Sequence, residues 1–289
     1  METPITATPI TEGQLKQFGR FITDLALQAV QETGLGKKDL QYLASRGNHL
    51  KRHMIEGIAA FGHEPRYDLA RSILGEDFIP AENIASAFGL SYSKTDLVRL
   101  GAYLPDEAAL AAIREQGMLL IAGPPRPLSL LDIRELHPGH FYASGRHWNV
   151  GRASPMNDYG WFDDHCESFA RRDKARPGWL AIQKKPLKAS CAKTWEDQQS
   201  LVREPLLIPN VAEVAWMCAA YAAMHPRGGM LLTKHAVRTS SLPYHKEGHV
   251  TFGDYDKYGS SSASFGYHVS CPIDDWTDSG LGVVLCRKF

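Results

Sequence analysis

The chain has 289 residues, of which 44% are hydrophobic and 22% charged. These values lie near the averages of globular proteins, so we expect a packed core, and the length favours two domains. Basic residues (Lys and Arg) and acidic residues (Asp and Glu) number 32 each. This zero net charge argues against nucleic acid or an anionic membrane as a partner, and no apolar run reaches the ~18 residues that cross a bilayer.

The five cysteines are scattered along the chain, and none forms a C-x-x-C pair. An odd number of distant cysteines favours reduced thiols over a disulfide framework. The first residues lack the basic and then apolar layout of a secretory signal. We therefore expect a cytoplasmic protein.

Residues 1–117 are predicted to form a helical N-terminal region. A capping box of Thr11 and Gln14 begins the first helix. Its apolar residues repeat at alternating spacings of three and four, at Leu15, Phe18, Ile22, Leu25 and Ala29. This spacing suits a helix packed on its own chain or a coiled-coil seam, so self-association through residues 12–31 stays open. A second helix is predicted over residues 37–60, and three shorter helices lie between 67 and 113.

Residues 81–100 have the apolar spacing of a helix-turn-helix, with Gly89 where the tight turn falls. The second helix of this pair carries only Lys94 and Arg99 as basic residues, and it has no Asn or Gln to read adenine. A generic antiparallel helix pair shows the same pattern. An accessory DNA-binding protein is thus one alternative hypothesis, although nucleic acid is not the partner we expect.

Residues 118–289 are predicted to form a second domain of the α+β class. Short strands are predicted over residues 118–122, 141–143, 179–183, 230–232, 250–252, 266–270 and 282–287. Two helices interrupt them, over residues 195–202 and 210–224, and the second begins at Pro209, Asn210 and Glu213. We expect the last strand to lie inside a sheet.

Several groups of residues in this region were considered as reactive sites. A zinc site would draw on His137, His140, His147 and the Asp-Asp-His-Cys run at 163–166. Their spacing fits no standard arrangement, so no metal is expected. A hydrolase would pair Ser240 or Ser241 with His235 or His245, but no nucleophile elbow surrounds these serines. The phosphate-binding glycine loops are missing too, and no cofactor is expected.

The stretch from 253 to 279 interleaves small polar residues with aromatic ones, at Tyr255, Tyr258, Phe265, Tyr267 and Trp276. Rigid aromatic side chains beside adaptable Ser, Gly and Asp are typical of an antibody-like contact surface. A turn-rich β-region whose aromatics pack inward has the same composition. The alternation predicts that Val250, Phe252 and Val269 are buried and that the tyrosines are partly exposed.

The segment from about Gly178 to Phe289 resembles prokaryotic C-type-lectin-fold domains. Three features carry the resemblance: the helix start at Pro209 to Trp216, the polar strand Arg238-Thr239-Ser240-Ser241, and the closing strand at residues 282–288. Val284 stands where the family's closing strand has an arginine. The family includes the formylglycine-generating enzymes and the variable proteins of diversity-generating retroelements, which are encoded by phages and other mobile elements.

The resemblance implies a ligand-binding module that displays a diversified surface to a protein or carbohydrate, without catalysis. The residues expected on or under that surface are Arg238, Ser240, Ser241, Tyr255, Tyr258, Tyr267, Asp274, Asp275, Trp276 and Asp278. The enzyme alternative needs a nearby pair of cysteines, for which Cys271 and Cys286 are the candidates. Cys286 is predicted to face the core of the last strand.

Overall fold

A computed structural model describes residues 11–33, 36–45, 47, 64–138, 168–225, 231–232, 235–243, 248–253, 267–270 and 272–289. The chain divides into two compact units, Met1–Gly57 and Ile58–Phe289. In the first unit lie α1 (Glu12–Thr33) and α2 (Lys37–Ser45). The predicted capping box begins α1, because the Thr11 amide donates to Gln14 Oε1 at 2.9 Å. Most of the remainder of the second predicted helix, at 48–60, lies outside the described residues.

The second unit is a mixed α+β structure. Its helices are α3 (Glu64–Leu74), α4 (Ala81–Phe88), α5 (Lys94–Ala102), α6 (Glu107–Glu115), α7 (Leu130–Leu136), α8 (Ser168–Arg172), α9 (Trp195–Ser200) and α10 (Val211–Met224). Its strands are β1 (Phe78–Ile79), β2 (Met118–Ala122), β3 (Leu128–Ser129), β4 (Lys174–Ala175), β5 (Trp179–Gln183), β6 (Ala236–Arg238), β7 (Thr251–Gly253), β8 (His268–Ser270), β9 (Leu281–Val283) and β10 (Cys286–Lys288).

The strands form small sheets of mixed direction. One sheet has the order β1-β2-β5-β10, in which β1 is parallel to β2 and the other neighbours are antiparallel. Another has the order β8-β7-β6-β9, with β6 parallel to β9. Strands β3 and β4 form a separate antiparallel pair. The last strand joins a sheet, but it lies at the edge of that sheet and not inside it as predicted, because β10 ends the strand order beside β5.

Helix α10 lies at the centre of the core. Every residue from Val211 to Ala220 is buried, as expected of a helix that is apolar on all sides. Its alanines allow close packing, and α10 contacts α4, α7, α8, β4 and β7. Asn210 and Glu213 form a capping box at its start, and the Trp216 indole donates to the carbonyl oxygen of Ala122 at 3.0 Å. The helix start predicted at Pro209 to Glu213 is confirmed.

Two predicted strands differ from the structure. The prediction over residues 230–232 is wrong for its described part, since Leu231 and Leu232 lie in a turn and Leu232 has a φ of 59°. Leu232 is buried. The apolar character of this run therefore reflects burial, although its described residues do not form a strand. The single strand predicted over 282–287 is two strands, β9 and β10, which belong to different sheets. Val284 and Leu285, which connect the two strands, are also buried. The apolar run is therefore continuous although the chain passes from one sheet to the other.

The predicted boundary at residues 117/118 falls inside the second compact unit. Strand β1 pairs with β2 across that boundary, and α6 packs on β2. A two-residue strand such as β1 has no detectable period, so its pairing could not be foreseen from sequence. The region after residue 118 also holds α7 and α8 in addition to the two predicted helices. Among the described residues, no helix has both the length and the apolar character that a membrane crossing requires.

Candidate ligand-binding surface

Residues 272–280, called the 272–280 loop, return the chain from β8 to β9. Both strands run in the direction of β6, so the chain must travel back along the sheet before it can enter β9. The amide of Ala236 donates to the carbonyl oxygen of Gly280 at 3.0 Å, which attaches the end of the loop to β6. The loop is therefore a connection laid along the sheet and fixed at its exit.

Arg238 holds this loop from below. Its side chain is fully buried in β6. Nη2 donates to the carbonyl oxygens of Ile273 at 3.3 Å, Asp274 at 3.2 Å and Trp276. Nη1 donates to the carbonyl oxygen of Lys193 at 3.0 Å and to Gln198 Oε1 at 3.1 Å. One guanidinium thus joins the loop to the region around α9.

The electrostatics of Arg238 combine two opposing effects. Burial lowers the pKa of its guanidinium, while the nearby carboxylates of Asp274 and Asp275 raise it. An arginine keeps its proton in proteins, so the group remains a buried cation. Backbone carbonyl dipoles and acidic side chains of the same loop compensate that charge. Arg238 and the loop residues that it contacts are more than 30 residues apart in the sequence.

A second contact fixes the first half of the loop. His249 Nδ1 lies 2.8 Å from Asp274 Oδ1, and the Trp195 ring stacks on His249 with centroids 3.7 Å apart. The Trp195 amide also donates to the Asp274 carbonyl oxygen at 3.1 Å. Gly248 has a φ of 83°, and a Cβ placed there would meet the Pro272 carbonyl oxygen at 1.9 Å. The loop therefore approaches this glycine more closely than any side chain would permit.

The fixed loop presents several side chains to solvent. Ile273 is 60% exposed and Trp276 38% exposed, and Asp275 and Thr277 are also exposed. Asp278 is half-buried, and its Oδ1 accepts a hydrogen bond from the Gly280 amide at 2.7 Å. Its carbonyl oxygen accepts from the Ala192 amide at 2.9 Å. A large aliphatic and a large aromatic side chain are thus exposed on a backbone that is tied down from two sides.

The predicted site residues separate into supporting and displayed ones. Arg238 and Ser241 are buried, and Ser241 Oγ accepts a hydrogen bond from the Val211 amide at 2.9 Å. They support the loop and the start of α10 and do not face solvent. Ser240, Asp275 and Trp276 are exposed, and Asp274 and Asp278 are half-buried. Tyr255 and Tyr258 lie outside the described residues.

Tyr267 requires a correction. It was predicted to be displayed, but it is 1% exposed and its ring lies 4.9 Å from that of Phe252. Val250, Phe252 and Val269 are buried as predicted. Tyr267 directly precedes β8 and joins these residues in the core. Composition could not separate it from the exposed aromatics, because buried and exposed tyrosines look alike in a list of residues.

Three residues of this surface were missed from sequence: Ile273, His249 and Gln198. The exposure of Ile273 could have been predicted, because it lies between Pro272 and two aspartates. This local sequence has neither the helical nor the strand periodicity that indicates a buried face. His249 and Gln198 gave none. Their roles depend on contacts with Asp274 and Arg238 that join distant parts of the chain.

The reactive sites considered from sequence gain no support within the described residues. His137 packs edge-on against Phe88, whereas His140, His147 and residues 163–166 lie outside the described part of the chain. Among the residues that the structure describes, no group of three His, Cys, Asp or Glu side chains could hold a metal ion. Ser241 is engaged with Val211, and His245 lies outside the described ranges.

The enzyme alternative needs Cys271 and Cys286, and the structure describes only the second of them. Cys271 lies outside the described residues. Cys286 is fully buried, as predicted, and burial raises the pKa of its thiol. A raised pKa disfavours the thiolate that redox and nucleophilic chemistry requires. Cys286 therefore fits a small core residue better than a reactive one.

The helix pair of the DNA-binding alternative is α4 and α5. Gly89 adopts a left-handed conformation with a φ of 63° after α4, which matches the predicted turn. Of the two basic residues in α5, Lys94 is exposed, but Arg99 Nη2 lies 3.2 Å from Asp96 Oδ1. The Leu100 carbonyl oxygen accepts from the Trp179 indole at 2.7 Å. This end of α5 is thereby built into the core.

Comparison of the chain with protein-family models, curated proteins and solved structures gave no significant match.

Proposed function

We propose that this protein is a ligand-binding protein whose contact surface includes the 272–280 loop. The observation that carries the proposal is the contrast between the two sides of the loop. Ile273 and Trp276 are exposed, while the buried Arg238 guanidinium binds three carbonyl oxygens of the same loop. Binding then orders few additional backbone groups, so less of the interaction energy is lost to conformational entropy.

The stretch 254–266 lies outside the described residues, and its contribution to the proposed surface is a prediction from its composition. It joins the end of β7 at Gly253 to Tyr267 and β8, and it is rich in Tyr, Ser and Gly. A segment of this composition supplies rigid aromatic contacts and adaptable hydrogen bonds. A protein or a carbohydrate is the proposed ligand class, and binding is proposed without a chemical step.

We also propose that the C-terminal region is a C-type-lectin-like domain, similar to the variable proteins of diversity-generating retroelements. Two parts of the sequence resemblance meet in the fold, which supports this proposal. Glu213, in the first turn of α10, pairs with Lys288 in the closing strand, with Oε1 and Nζ 2.6 Å apart. Trp216 of the same helix bonds to Ala122 at the end of β2.

The test is a binding screen of the purified chain on an array of glycans and on an array of folded proteins. Truncation of a central contact residue costs about 2 kcal/mol or more, which is roughly 30-fold in affinity. Trp276→Ala and Ile273→Ala should therefore weaken a specific hit about 30-fold. Tyr103→Ala, which removes an exposed aromatic elsewhere, is the matched control and should leave the hit unchanged.

The opposite pattern would overturn the proposal. If hits survive both loop substitutions but are lost in Tyr103→Ala, the contact surface lies near α5 and the loop is structural. Circular dichroism of each variant separates loss of binding from loss of folding.

A further inference from the structure

Helix α1 carries an apolar stripe whose described side chains are exposed or half-buried. Leu15 is 54% exposed, Phe18 45% and Phe21 56%, and Ile22 is half-buried. Four large apolar side chains thus lie within two turns of one helix. Single exposed apolar residues are ordinary on protein surfaces, but a continuous stripe of them marks an interaction site.

The spacing of the apolar residues in the stripe indicates that its partner is another helix. Residues at positions 15, 18, 22, 25 and 29 alternate steps of three and four along the sequence. This heptad repeat places one narrow seam along a helix, and it is the pattern by which helices pack side by side as a coiled coil. Helix α1 has 22 residues, which is about three heptads and roughly 33 Å of length.

Charged residues of α1 lie away from the seam between Leu15 and Ala29, whereas Glu32 follows Ala29 at the next seam spacing. Glu12, Lys16, Arg20 and Asp24 follow one another at spacings of four, and Glu12 and Lys16 form an ion pair of 2.7 Å. The residues that flank the seam between Leu15 and Ala29 carry no charge: Gln14, Gly19, Phe21, Ala26 and Gln28. Charged flanking residues set partner choice and orientation in coiled coils. Their absence here leaves a surface with no electrostatic preference for a different chain.

A second copy of the same chain fits these properties. A two-fold interface uses the same patch on both copies, so the patch must be compatible with itself. Between Leu15 and Ala29 the seam is uncharged, so this part of it meets its own copy without like-charge contact. We propose that α1 pairs with α1 of a second copy of this chain through Leu15, Phe18 and Ile22. This inference is independent of the proposed ligand-binding function.

The test is sedimentation velocity of the full chain over a concentration range of about 1 to 100 µM, where a short helical interface is expected to dissociate. The wild-type chain should shift from monomer to dimer with rising concentration. Phe18→Glu should raise the dissociation constant by at least about 30-fold, as expected for loss of a central contact. Gln17→Glu is the matched control, because it adds the same charge one residue away on an exposed position, and it should dimerise like the wild type.

Two further measurements keep the outcome unambiguous. Leu15→Ala retains a strong helix former, so it should weaken the dimer even if Phe18→Glu disturbs α1. The dimer should persist when salt is raised, because an uncharged seam is not screened. A wild-type chain that stays monomeric throughout the range, or a dimer equally weakened by Gln17→Glu, overturns the proposal.

Discussion

Arg238 Nη2 donates a hydrogen bond to the backbone carbonyl oxygen of Asp274 at 3.2 Å, and two more carbonyl oxygens of the same loop surround that nitrogen. A side chain from the middle of a sheet thereby fixes a loop that is 36 residues further along the chain. The exposed residues of the loop are held in place by a side chain that is itself fully buried. This relation between Arg238 and Asp274 is the basis of the ligand-binding proposal.

Removal of the Arg238 side chain should destabilise the fold. Arg238→Ala removes five hydrogen bonds of a fully buried guanidinium, so the free energy of unfolding should fall by about 3 kcal/mol. Arg203→Ala is the control, because Arg203 also bonds to backbone carbonyl oxygens but is exposed; its effect should stay within about 0.5 kcal/mol. Urea unfolding followed by circular dichroism measures both. Equal stability of the two variants would contradict the role assigned to Arg238.

Two aromatic residues of the same region should respond differently to truncation. Tyr267 is buried beside Phe252, so Tyr267→Ala should lower the free energy of unfolding by about 3 to 4 kcal/mol through cavity formation. Trp276 is partly exposed, and Trp276→Ala should cost about 1 kcal/mol or less. Thermal unfolding of the two variants side by side makes the comparison. A reversed order would place Trp276 in the core and remove it from the contact surface.

The pair of Glu213 and Lys288 should couple α10 to the last strand. Glu213 is buried while Lys288 is about half exposed, and their charged atoms are 2.6 Å apart. Lys288→Met leaves the buried carboxylate without its cation, which should cost about 1 to 2 kcal/mol. Arg287→Met, in the neighbouring position, should have a smaller effect. A double-mutant cycle with Glu213→Gln should return a coupling energy of about 1 kcal/mol, and a value near zero would mean that the pair is not formed in solution.

The described cysteines should label slowly and in a fixed order. Burial raises the pKa of Cys286 and raises that of Cys218 to about 12; burial also raises the pKa of the half-exposed Cys191. A raised pKa means less thiolate at a given pH, so labelling with iodoacetamide should accelerate about tenfold per pH unit from pH 7 to 9. Mass spectrometry of the native protein should find Cys191 modified before the other two. Rapid labelling of Cys286 at pH 7 would instead favour the enzyme alternative.

The elements with a strong local signal could be predicted from sequence. Strand β2 is a compact apolar run, and α10 begins with a capping box of Asn210 and Glu213, so both positions were predictable. Strand β1 could not be predicted, because two residues show no period and their parallel partners lie 42 residues further along the chain. The change of sheet between β9 and β10 was equally hidden, since Val284 and Leu285 continue the apolar run without a turn signal.

The candidate surface was predictable in composition and less so in arrangement. Trp276 and the adjacent aspartates belong to a turn-rich polar stretch. Its composition predicted that this region forms a contact surface. Whether a given aromatic faces inward depends on its position relative to a strand, which is why Tyr267 was misplaced. The function of Arg238 as a buried support depends on carbonyl oxygens from two separate segments, at Lys193 and in the 272–280 loop, and no local pattern encodes that geometry.

The measurement that tests the central claim most directly is the sequence of this locus in many sibling isolates, with substitutions counted per codon. A contact surface on a fixed scaffold predicts that substitutions concentrate at Ile273, Asp275, Trp276 and Thr277 and within codons 254–266. Codons of the supporting residues Arg238, Ser241 and Tyr267 should stay unchanged. Uniform substitution along the chain, or substitution at Arg238 as often as at Trp276, would contradict the account.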